Sequence, residues 1–164
     1  MQVKNQKSLI FNFIVRNRRI SSSRNYSDLV ALFYLGEGKR YLEIGAGDPI
    51  SGSDTYFLAK EKNWTGVQIE PDLAIFKRLK LIRRDSLKIN AAVIGDKETK
   101  KYFLNLNTMQ LSEKKNNSTQ IQTISLEFIL KSYGAGFDAL FIDIEGGELE
   151  VISSIFFLNL SSNS

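Results

Sequence analysis

Carboxylates stand at or near the ends of several apolar runs in this chain, where an ionised group is costly unless something meets it. Glu43 lies in Tyr41-Leu42-Glu43-Ile44-Gly45-Ala46-Gly47, Glu70 closes Thr65-Gly66-Val67-Gln68-Ile69, and Asp143 ends Phe137-Asp138-Ala139-Leu140-Phe141-Ile142. Glu145 and Glu148 follow at once, in Asp143-Ile144-Glu145-Gly146-Gly147-Glu148. A carboxylate so placed can meet a ligand, a metal or the N-terminus of the next helix. For Glu148 the helix terminus is as good an explanation as a ligand. Gly45-Ala46-Gly47 adds a turn that lets a ligand approach the backbone, because side chains larger than Ala would block it.

The composition narrows the chemistry. The chain of 164 residues has no histidine and no cysteine, which excludes a Ser/His/Asp triad, a cysteine nucleophile, imidazole or thiolate metal ligation and a disulfide framework. Acid-base work falls to carboxylates, lysine or tyrosine. Asp143 and Glu145 have oxygens that suit Mg²⁺, yet two carboxylates one residue apart are common at strand ends without metal, so no metal is expected.

The residues around the glycine turn separate two ligand classes. A dinucleotide fingerprint requires a third glycine three residues after the second, and here that position is Ile50. Asp48, one residue after Gly47, is a poor neighbour for a pyrophosphate. S-adenosylmethionine, cationic at sulfur and at its ammonium group, fits Glu43 and Asp48 better. Glu70, about 25 residues after Gly45, is where an acidic side chain accepts hydrogen bonds from ribose hydroxyls in either class of site. Asn90-Ala91-Ala92 offers a small surface to an adenine ring, or else a packed strand.

These residues need a scaffold that brings strand ends together. Arg40–Ile44, Thr65–Glu70, Leu87–Ile94, Ile121–Ile124 and Phe137–Asp143 read as strands, with Lys101–Leu106 as a further extended segment. Helical spacing marks Tyr26–Leu35, Ser53–Lys62, the stripe Leu73, Phe76 and Leu79, Ser125–Tyr133 and Gly147–Leu158. The polar stretch from Asn107 to Thr119 reads as an exposed loop. Strands with nearly uninterrupted apolar runs alternating with helices predict an α/β fold, its mostly parallel sheet covered by helices on both faces. Right-handed crossovers then align the carboxyl ends of the strands along one edge, where such sheets bind ligands. We divide the chain into a helical lead-in, 1–38, and an S-adenosylmethionine-binding domain, 39–164.

Six cations, Lys4, Lys7, Arg16, Arg18, Arg19 and Arg24, cluster near the start of a chain whose formal charge is +4. No aromatic and basic residues interleave as in RNA-binding modules, so nucleic acid is not an expected partner. Leu9-Ile10-Phe11-Asn12-Phe13-Ile14-Val15 is too short for a bilayer span and reads as a soluble amphipathic helix, with surface association as the lesser reading. Stable membrane insertion is not expected, and a cytoplasmic location is the default.

The chain resembles the FkbM family of methyltransferases. The resemblance rests on Leu42-Glu43-Ile44-Gly45-Ala46-Gly47, Ile69-Glu70-Pro71, Asn90-Ala91-Ala92-Val93-Ile94-Gly95-Asp96 and the run from Phe141 to Val151, in that order, and covers about Lys39 to Ile155. The Asp-x-Glu-Gly-x-Glu sequence that opens the last helix is its most specific part. The resemblance implies a Rossmann-like class I methyltransferase fold and methyl transfer from S-adenosylmethionine, usually to a hydroxyl on a sugar, glycolipid or polyketide-like acceptor. It implies that Glu43, Gly45 and Gly47 line the methionine side of the donor, Glu70 the ribose and Ala92 the adenine, with Ala46, Pro71 and Asp143 also at the donor. Asp143 and Glu145 would face the acceptor or the amino-acid end of the donor and are the catalytic candidates.

Two features depart from the family. The turn continues as Asp48-Pro49-Ile50-Ser51-Gly52-Ser53, and a single helix follows the Asp143 strand where the family adds further strands. A sheet lacking its last strands is therefore expected, with association of copies through the exposed edge as a consequence. The competing readings are a donor-binding remnant acting as an interaction module and, less favoured because of Ile50 and Asp48, a nicotinamide-dependent oxidoreductase.

Overall fold

The computed structural model describes residues 2–95, 102–105, 107–108, 110–112, 118–144 and 146–161, with side chains described from residue 6 to residue 154 of these. Its elements run α1 (Gln2–Asn17), α2 (Ser27–Leu35), β1 (Arg40–Ile44), α3 (Tyr56–Lys62), β2 (Thr65–Ile69), α4 (Leu73–Ile82) and β3 (Ser86–Ile89). They continue with β4 (Ala92–Ile94), β5 (Tyr102–Asn105), β6 (Gln110–Ser112), β7 (Thr119–Ile121), β8 (Thr123–Ser125), α5 (Leu126–Tyr133), β9 (Ala139–Ile142) and α6 (Glu148–Ser161).

Four strands form a parallel sheet in the order β3-β2-β1-β9. Its register pairs Ile44 with both Ile69 and Ile142, so these strands end level with one another. Alternation along β1 sends Leu42 and Ile44 to one face, where Val67, Ile69, Leu126, Ile129 and Val151 pack with them. Tyr41 faces the other way, into a cluster with Leu29, Phe57, Leu58 and Trp64. Residues of α5 and α6 thus cover one face and residues of α2 and α3 the other, as the apolar strand runs require.

Two helices, α4 and α5, start where the sequence supplies a cap. Asp72 accepts from Ile75 N at 2.8 Å ahead of α4, and Ser125 accepts from Phe128 N at 3.1 Å ahead of α5. The serines before α2 are gathered by the buried Asp28, which accepts from Ser21 Oγ at 2.6 Å and from Ser22 N at 2.8 Å.

Three expectations need correction. The single strand expected over Leu87–Ile94 is two, β3 in the main sheet and β4 paired with β8. The break falls at Asn90, whose Nδ2 donates to Glu70 O at 2.8 Å and Pro71 O at 3.1 Å and so ties the chain to the neighbouring turn. Ile121–Ile124 likewise divides at Gln122 into β7 and β8, which belong to different sheets. The loop expected from Asn107 to Thr119 contains β6, and β7 begins at Thr119; both pair antiparallel with β5. Their side chains alternate too weakly in polarity to show as strands, because pairing with β5 rather than burial holds them.

Candidate functional site

A cavity of about 430 Å³ opens at the carboxyl ends of β1, β2 and β9, a size typical of small-molecule sites. The strand order reverses here, since β2 lies on one side of β1 and β9 on the other, the arrangement that leaves a crevice in open parallel sheets.

The glycine turn forms one side. Gly45 and Ala46 donate their N–H groups to Ile69 O at 2.9 and 3.1 Å, which folds the turn over the end of β2. Gly45 has φ +80°, and a Cβ there would lie 1.9 Å from Asp143 O, so only glycine permits both the conformation and the approach of the β9 end. Gly47 N donates to Glu70 Oε2 at 2.9 Å, while Asp72 N donates to Oε1 at 2.8 Å. Glu70 therefore joins the glycine turn to the start of α4. Burial pushes its carboxyl above the ordinary range, against the lowering effect of the two backbone N–H groups. Each oxygen has capacity for one further hydrogen bond, and Glu70 lines the cavity.

Glu43 is also in the cavity wall, almost wholly buried. Its Oε2 accepts from Gln68 Nε2 at 2.6 Å and from Thr55 Oγ1 at 2.8 Å. Burial pushes its carboxyl up to about 7, opposed by those bonds and by the charge of Arg83. Arg83 is itself buried and donates to Thr55 Oγ1 at 2.9 Å, Tyr41 Oη at 3.0 Å and Asp85 Oδ2 at 2.9 Å. The whole group is internally satisfied, as buried polar networks must be.

Ala91, Ala92 and Val93 provide an apolar side, and Pro71, Leu104 and Leu111 also reach the cavity. Asp143 lies just beyond β9; its N–H donates to Ile44 O at 2.9 Å and its side chain is exposed. Thus Glu43, Gly45, Ala46, Gly47, Glu70, Pro71, Ala92 and Asp143 all border one space. Glu145 lies outside the described residues.

Two carboxylates have other employment. Asp48 lines the cavity as well, with its Oδ1 accepting from Ile50 N and Ser51 N and its Oδ2 paired with Arg78 at 2.8 Å. Those backbone bonds hold its carboxyl below the usual range. Glu148 accepts from Gly146 N at 3.0 Å and Ile144 N at 3.3 Å, so it serves the opening of α6. Backbone N–H groups, its own and that of Gly146 foremost, lower its carboxyl as well.

The sequence reading missed Asp54 and the segment Arg24-Asn25, which also line the cavity. Asp54 accepts from Ser23 Oγ at 2.6 Å, and burial raises its carboxyl, with Asp143 adding to the effect. The signal was present in Ser53-Asp54-Thr55, a polar triplet ahead of a helix, but such triplets also serve as ordinary caps. Among the described residues no group of three or more acidic side chains is arranged to hold a metal ion, and no helix is long and apolar enough to cross a membrane.

A parallel sheet flanked by helices, with a glycine turn and carboxylates gathered at its carboxyl edge, defines a class of α/β proteins that take a ligand across the strand ends. Within it, the family model described as the methyltransferase FkbM domain matches residues 43–160, and the chain belongs to that methyltransferase family. Neither the curated proteins nor the solved structures include a match to this chain.

Proposed function

We propose that this methyltransferase uses S-adenosylmethionine and methylates a hydroxyl of a sugar, glycolipid or polyketide-like small molecule. The observation that carries the reading is the joining of Gly47 N to Glu70 at 2.9 Å on the rim of the cavity, a glycine turn and a ribose-type carboxylate held as one unit. The strand order β3-β2-β1-β9 with its reversal beside β1 supports a Rossmann-like arrangement. The residues present fit a cationic nucleoside. Gly47 fronts open space that a side chain would enter, the carboxyl groups of Glu43, Asp54, Glu70 and Asp143 border the cavity, and the Ala91–Val93 strip is apolar.

On this reading Glu70 and Pro71 hold the ribose, Ala92 with its neighbours receives the adenine, and Glu43, Gly45, Ala46 and Gly47 border the methionine end. The donor supplies an electrophilic methyl on a sulfonium. Asp143 borders the same cavity and is open to solvent, which suits it to take the proton of an acceptor hydroxyl, with Glu145 as its partner toward the acceptor. The protein otherwise acts by alignment: a rigid turn and two pinned strand ends fix where the reacting groups meet. Family membership favours this reading over a nicotinamide-dependent oxidoreductase.

Titration calorimetry with the donor and with its demethylated product tests the reading. Both should bind, and Glu70→Ala should weaken them by about ten-fold or more through loss of hydrogen bonds to the ribose and of the turn's anchor. Absence of heat with both ligands would overturn it.

A further inference from the structure

We propose that α1 and the turn after it dock the protein on an anionic lipid surface. The inference does not depend on which acceptor is methylated. Its basis is a charge division along the chain. The first 27 residues hold six of the 22 cationic residues and none of the 18 acidic ones, so the remaining residues carry a net negative charge.

The helix displays that charge together with apolar side chains. Phe13 and Ile14 pack inward, Phe13 with its ring centroid 5.4 Å from that of Phe33. On the outward side Lys7, Phe11 and Val15 form one row at intervals of four. Phe11 is 65% exposed and Val15 44% exposed. Past the helix end Arg18, Arg19 and Ile20 are exposed too, in a turn closed by Ile20 N donating to Asn17 O at 3.0 Å.

Outward apolar residues flanked by lysine and arginine are what an interfacial helix needs: the apolar groups enter the acyl boundary while the cations stay among anionic headgroups. Nucleic acid would use the cations but leave Phe11, Val15 and Ile20 without a role. A second copy, paired face to face, would bring Lys7, Arg18 and Arg19 against their own kind. The segment also leads straight to the cavity, since Arg24 and Asn25 line it.

The test is co-sedimentation of the full chain with phosphatidylcholine vesicles, with and without about one third phosphatidylserine, at low salt and at about 0.5 M salt. Binding should require phosphatidylserine and fade with salt. Arg18→Glu with Arg19→Glu should weaken partitioning by about 25-fold or more, at roughly five-fold per cation removed. Phe11→Ser with Val15→Ser should also weaken it, without change in thermal unfolding, because these side chains lie outside the core. The proposal fails if phosphatidylserine vesicles leave the protein in the supernatant. It fails equally if the Phe11/Val15 variant binds like the parent, or if a DNA duplex is bound while the vesicles are not.

Discussion

The two sides of the cavity are built differently. On the β1–β2 side Glu43 and Glu70 are 3% and 2% exposed, and each is held by two hydrogen bonds from the protein. On the β9 side Asp143 is exposed, and the well-bonded carboxylate nearby, Glu148, is turned to the opening of α6. The contrast separates two tasks. Carboxylates that must keep one position are buried and tied down, at the cost of a raised proton affinity. On the proposed reading, the exposed Asp143 belongs to the other task, meeting the acceptor.

The point where the two sides touch is the place to break this arrangement. Gly45→Ala would drive a Cβ against the Asp143 carbonyl and place alanine at φ +80°, so we expect a loss of about 3 kcal/mol or more of stability. Urea unfolding measures it, and a variant as stable as the parent would show that the β9 end can move away.

The buried side is sharpened by pH. The Glu43 carboxyl rises from an ordinary 4.5 to about 7 in the folded chain, so the folded state holds the proton more tightly than the unfolded one. Its contribution to stability is complete below about pH 4.5 and is lost as pH rises through about 7. Glu43→Gln, which keeps an acceptor for Gln68 and Thr55, should remove this slope and gain on the order of 2 kcal/mol over the parent at pH 8. Unfolding curves at pH 5 and pH 8 with equal slopes for the two proteins would refute it.

The smallest effect belongs to the open side. Glu148→Gln should cost about 0.3–1 kcal/mol by weakening the charge at the α6 N-terminus. Donor affinity should not change. A large loss of affinity in calorimetry would instead make Glu148 part of the cavity's function.

The legibility of these regions in the sequence follows the same division. β1, β2 and β9 could be read because strands covered on both faces are apolar almost throughout, and Pro71-Asp72 marked the start of α4. Gly45, Glu70 and Asp143 were legible because they follow those strands directly. Asn90 was not, since what breaks the strand there is a pair of bonds to carbonyls 19 and 20 residues away. The ion pair of Asp48 was illegible for a similar reason: its partner Arg78 lies on α4, and only the fold brings them together. Arg83 carries no signal of its own in Arg83-Arg84-Asp85, because it is bonds to residues distant in sequence that bury it.

The serines ahead of α2 bear on how such a domain can be exchanged between proteins. Ser22 Oγ donates to Ser53 O at 2.7 Å and accepts from Phe57 N at 3.0 Å, and Ser23 pairs with both Gly52 and Asp54. The family match begins at residue 43, yet these bonds reach back 31 residues and more to fix the far rim of the cavity. A chimera joined at β1 would inherit the glycine turn while leaving Asp54 and Phe57 without their partners. A recombination junction that preserves the pocket lies before Ser21.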